Sequence, residues 1–73
     1  MAKLIGQRTT KLSQMAHVIY EGRYYIISQS FVADETLIFK SNENGDIVSY
    51  CEVGTAENIQ DGIDNFKNCI FQW

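Results

Sequence analysis

The sequence predicts an α+β domain: a four-stranded antiparallel sheet, built from two hairpins, covered on one face by a C-terminal amphipathic helix. Three observations carry this reading. Two pairs of segments rich in β-branched and aromatic residues are each divided by a tight-turn signal. The closing run "TAENIQDGIDNFKNCIFQW" sets its apolar residues at helical spacing. At 73 residues, with no proline, internal repeat or low-complexity stretch, the chain forms one domain over residues 1–73, and its core is small.

Taken in order, "MAKLIGQRTT" is expected either to be flexible or to extend the first strand from Arg8 onward, because Gly6 and the polar residues around it weaken a strand. The first hairpin joins Met15–Tyr20 to Arg23–Gln29 through Glu21-Gly22, where glycine accepts positive φ. The second joins "ETLIFKS" to "DIVSYCEV" through Asn44-Gly45, a strong short-range hairpin signal. A two-residue turn and a three-residue loop with a bulge at Gly45 differ by one position, and one position inverts a strand's faces. The bulged loop separates apolar from polar more cleanly. It sets Leu37 and Phe39 with Cys51 and Val53 on the core face, and Lys40, Tyr50 and Glu52 on the other.

Thr55 is a suitable N-cap for the closing helix, and Glu57 complements the dipole in its first turn. Ile59, Ile63, Phe66, Ile70 and Trp73 then fall in one arc, spaced by four, three, four and three. That arc is the expected cover for the sheet. On the opposite face Glu57, Asp61 and Asp64 align as a solvated acidic strip, and Phe71 lies close beside them. Phe71 is either a contact residue or an aromatic folded over a frayed last turn.

Function classes are narrowed mainly by what is missing. There is no apolar run of spanning length and no signal-peptide pattern, so a cytoplasmic location and no membrane partner are expected. Residues 1–33 hold Lys3, Arg8, Lys11 and Arg23 against Glu21, while residues 34–73 hold eight acids against Lys40 and Lys67. A scattered basic half and a net charge of −3 argue against direct nucleic-acid binding. Cys51 and Cys69 make no C-x-x-C and read as reduced, buried and inert. His17 is the one histidine and has no spaced metal-ligand partners, so neither a metal site nor a cofactor is expected. Sequence motifs for nucleophilic, phosphate-binding or metalloprotease chemistry are lacking, and the expectation is a non-enzyme.

A protein partner is the remaining expectation. Tyr24 and Tyr25 are adjacent on a strand and so point to opposite faces, which with Arg23 gives an interface-like composition. The plainer account is that an exposed tyrosine is simply a good strand former. The candidate partner-binding residues are Arg23, Tyr24, Tyr25, Glu57, Asp61, Asp64 and Phe71, the acidic ones suited to a basic partner surface.

The stretch "ETLIFKSNENGDIVSY", with "AENIQDGIDNF" and Trp73, resembles small uncharacterised proteins encoded by tailed phages and prophages, over about residues 35–73. In that family an E-T-x-x-F strand runs into an acidic turn, then a strand with a Trp and an acid, then an acidic helix closing on Trp. Here Tyr50 and Glu52 occupy the Trp-acid pair, and Ile63 stands where the family often has His, so no role for that His carries over. The resemblance implies a phage-type accessory protein that binds, and in doing so inhibits or otherwise modulates, a host or phage protein in the host cytoplasm, such as a defence or nucleic-acid-processing enzyme. The alternative expectation is a structural protein acting as a homo-oligomer.

Overall fold

Strand pairing begins at the third residue. The structure, a computed structural model, describes residues 1–71, so Trp73 and its expected place at the end of the apolar stripe lie outside the described residues. Among the described residues the order is β1 (Lys3–Thr9), β2 (Ser13–Tyr20), β3 (Arg23–Ser30), β4 (Thr36–Lys40), β5 (Gly54–Ala56), α1 (Ile59–Asp64) and α2 (Phe66–Cys69). The strands form one antiparallel meander in sequence order. The α+β class and the antiparallel sheet agree with expectation; the strand count and the single helix do not. No helix of the described residues is long and apolar enough to cross a membrane.

The additional strand at the front is β1, which pairs along β2 with an irregularity between Leu4 and Gly6. Its turn carries neither glycine nor proline. Thr10 Oγ1 accepts from the N–H groups of Leu12 (3.2 Å) and Ser13 (3.1 Å), so a hydroxyl does the work usually signalled by those residues. The β2–β3 turn is as expected: Tyr20 pairs with Arg23, and Glu21 and Gly22 both hold positive φ, 51° and 76°, as in a type I′ turn.

After β4 the second hairpin starts as the bulged alternative expects. Asn42 N–H donates to the Asp46 carbonyl (3.0 Å) around a three-residue loop, and Gly45 has φ +88°. The expected return strand from Asp46 to Val53 does not form. From Ile38 to Ser41 the outgoing strand advances three residues, while its partner advances seven, from Ile47 to Gly54, so four residues are looped out. The expected face assignment is therefore corrected. Ile38, fully buried, faces the helices, because it sits opposite Ile27 and cross-strand partners share a face. Leu37 and Phe39 take the reverse face, and Lys40 joins Ile38's side. The neighbouring strand β3, rather than the turn, fixes which side of β4 is inward.

The helical segment is also corrected. Thr55 belongs to β5, and the N-cap is Asn58, whose Oδ1 accepts from Asp61 N–H at 2.8 Å. Asn65, at φ −119° and ψ 31°, interrupts the helix between α1 and α2. Ile70 is extended and bridges Gly54, and Phe71 N–H donates to the Val53 carbonyl at 2.8 Å. The apolar spacing still works: Ile59, Ile63, Phe66 and Ile70 all pack on the core with Ala16, Val18, Ile27, Ile38 and Val53. Phe66 is its centre, with the rings of Tyr20 at 4.8 Å and Tyr25 at 4.9 Å.

The reverse face is covered in part by the looped arm. Ile26 and Phe39 are buried there; Tyr50 lies 6.0 Å from Phe39, and His17 Nε2 donates to the Asn42 carbonyl at 3.1 Å. His17 is thus an anchor for the turn between Asn42 and Asp46.

Candidate functional site

Cross-strand register places four side chains together at the β2–β3 turn end of the helix-covered face. Tyr20 and Arg23 pair across the turn, Tyr25 follows Arg23 by two residues, and Lys40 pairs with Tyr25. Lys67 arrives from α2, next in sequence to the buried Phe66. The result is a cleft of about 460 Å³ with Phe66 in its floor, the two tyrosines in its walls, and Arg23, Lys40 and Lys67 around it against the single acid Glu21.

Three of the six basic residues of a chain of net charge −3 meet at this one concavity. All three are exposed, so each ammonium or guanidinium stays solvated until a ligand arrives. Their charges focus a positive potential into an otherwise acidic surface. Beneath them the aromatic walls offer apolar area, and tyrosine hydroxyls can donate as well as accept. Such a cleft can hold an anionic group over an apolar body. Its volume lies within the range of ordinary ligand pockets.

Of the residues singled out from the sequence, Arg23 and Tyr25 line this cleft. Tyr24 is on the reverse face, its ring 5.6 Å from that of His17. Glu57 and Asp64 are exposed, Asp64 Oδ1 accepting from Gln60 Nε2 at 3.0 Å. Phe71 is 42 % exposed, beyond the bridge at Ile70 and not on a helix.

Asp61, expected on a solvated strip, is instead partly buried at the start of α1. Its carboxylate accepts from Asn65 Nδ2 (2.9 Å) and from Glu57 N–H (3.1 Å). Those hydrogen bonds, the Asn65 one foremost, hold its carboxyl below the usual aspartate range. An acidic face for a basic partner therefore retains only Glu57 and Asp64 as exposed charges of the three.

Tyr20, Lys40 and Lys67 carry no local sign in the sequence that they belong to a site. The register expected for the second hairpin turns Lys40 away from the core face, and Lys67 reads as an ordinary charge beside an apolar stripe. A second concavity, about 230 Å³, lies on the reverse face between Arg8, His17 and the loop at Asn44 and Gly45. There Arg8 donates to Met15 Sδ at 3.3 Å, and His17 is held by Asn42.

The cysteines are free, but Cys51 is exposed, which corrects the expectation that both are buried. Its segment leaves the sheet in the looped arm. Cys69 is partly buried, and burial, then the charge of Asp61, pushes its thiol above the usual value, so it stays protonated. Among the described residues no group of three or more His, Cys, Asp or Glu side chains is placed to hold a metal ion. No protein-family model, curated protein or solved structure matches the chain.

Proposed function

We propose that this protein is a small non-enzymatic binding protein whose cleft takes an acidic segment of a partner protein. The observation that carries the reading is the convergence of Arg23, Lys40 and Lys67 with Tyr20 and Tyr25 over an apolar floor. Charge attracts the segment and sets its register; the aromatic walls hold an apolar side chain between its acids. A peptide suits the cleft better than nucleic acid does, because three cations in a net-negative chain supply little of the phosphate neutralisation that a polynucleotide needs. The phage resemblance over residues 35–73 implies that the partner is a host or phage protein, modulated or inhibited by occupancy of one of its acidic segments.

The test is fluorescence anisotropy with a labelled Asp/Glu-rich peptide bearing one central leucine. The intact chain should bind it with an affinity that falls as salt rises. The double variant Arg23→Ala with Lys67→Ala should weaken binding at least tenfold, because hydrogen bonds to charged groups contribute about 1.5–3 kcal/mol each. Asp64→Asn should bind unchanged. Equal binding by the double variant overturns the reading, and so does tighter binding of a single-stranded oligonucleotide than of the peptide.

A further inference from the structure

At the opposite end of the sheet from the cleft, two turns present an apolar tip. Leu12 belongs to the β1–β2 turn, and Phe31 and Val32 belong to the β3–β4 turn; their exposures are 66 %, 51 % and 76 %. The turns are tied together, Phe31 N–H donating to the Leu12 carbonyl at 2.9 Å. Each is also held from within by a hydroxyl at its start. Thr10 Oγ1 does this for the first, and Ser30 Oγ accepts from Val32 N–H (3.2 Å) and Ala33 N–H (3.0 Å) in the second. These side chains therefore stand on pre-organised backbone, which lowers the entropy cost of burying them against a partner.

Charge around the tip is divided by the order of the strands. Lys11 lies on the β1 side, and Asp34 and Glu35 lie on the β4 side, with the apolar residues between them; all three charged residues are exposed. We infer that this tip is a self-association surface whose occupant is a second copy of this chain, related by a two-fold axis normal to the sheet. That axis exchanges the β1 and β4 sides. It stacks the Leu12, Phe31 and Val32 cluster on its own copy and brings each Lys11 against the partner's acidic flank. A two-fold axis lying across the strands would instead oppose Lys11 to Lys11 and acid to acid, so charge complementarity selects the first arrangement. The surface stands independently of the cleft reading. Its consequence for that reading is bivalency, since end-to-end pairing leaves a cleft free at each far end.

Sedimentation velocity of the full chain from about 1 μM to about 1 mM, the range in which weak affinities read out, tests this. A concentration-dependent dimer is expected. Phe31→Ser with Val32→Ser should abolish it, with thermal melts showing that the fold persists. Lys11→Glu alone, and Asp34→Lys with Glu35→Lys, should each weaken self-association at least tenfold, and mixing the two charge variants should restore a dimer, because both contacts are then between opposite charges. A chain that stays monomeric throughout the range overturns the inference, as does a dimer untouched by the Phe31 and Val32 substitutions. Failure of the mixture to pair overturns the proposed axis.

Discussion

Asp61 shows how one residue's role follows from where a helix starts. Spaced with Glu57 and Asp64, it reads as one charge of a solvated face; with the N-cap at Asn58 it becomes the third helical residue, the position from which an acid reaches back to the preceding chain. There it accepts from Glu57 N–H and Asn65 Nδ2 and so ties the entry of α1 to the break that ends it. Its carboxyl is held below the ordinary value of 3.8, so it stabilises the fold above the unfolded aspartate pKa, and that contribution is lost as pH falls through the lower folded value. Asp61→Ala should therefore lower the melting temperature at neutral pH. It should also flatten the fall in melting temperature as the pH drops below about 4, the unfolded aspartate value. Parallel curves for parent and variant would show that the carboxylate contributes no pH-linked stability.

At the scale of elements, the decisive structure is the short contact between β5 and the chain end. Gly54 is buried opposite Ile70, and a Cβ placed on it would fall inside contact distance of the Cys69 carbonyl oxygen. Backbone meets backbone there, so no flexible side chain can yield. Gly54→Ala should destabilise by about 1–3 kcal/mol, the usual cost of overpacking. Gly6→Ala is the matched control, because its Cβ would meet only His17 Cβ at an ordinary 3.7 Å, and it should leave stability nearly unchanged. Urea unfolding of the two variants decides the matter: similar midpoints would mean that β5 and Ile70 are not in close contact.

The whole molecule depends on one aromatic cluster. Phe66 is fully buried between the rings of Tyr20 and Tyr25 and so joins α2 to both strands of the first hairpin. Phe66→Ala should cost about 3–5 kcal/mol, a large part of the roughly 5–15 kcal/mol that holds a typical domain, and in a chain of 73 residues the reserve is small. Thermal unfolding should shift far down or lose its cooperativity. A midpoint close to the parent's would rule out this cluster as the centre of the core. Because Phe66 lies beneath the cleft and packs against the Tyr20 and Tyr25 rings that wall it, a conservative Phe66→Leu should perturb fold and binding less than Ala does.

What the sequence determined by itself is whatever depends on near neighbours. Glu21-Gly22 and Asn44-Gly45 announce their turns because the signal lies in or beside the residues that adopt the positive φ, Glu21 and Gly22 in the first and Gly45 in the second. The apolar spacing through Ile59, Ile63, Phe66 and Ile70 marks inward residues correctly even where Asn65 breaks the helix, since the break leaves them on one side. Tertiary structure alone decided the rest. The side of β4 that faces inward was set by pairing with β3, and the four residues looped out after Val48 carry no local mark distinguishing them from a strand. Three residues, Gly54–Ala56, became a strand because β4 had an open edge and the end of the chain could close over it. The cleft is a product of that same pairing: Lys40 and Lys67 are far from Arg23 in sequence, and only cross-strand register and helix docking bring their charges to one concavity.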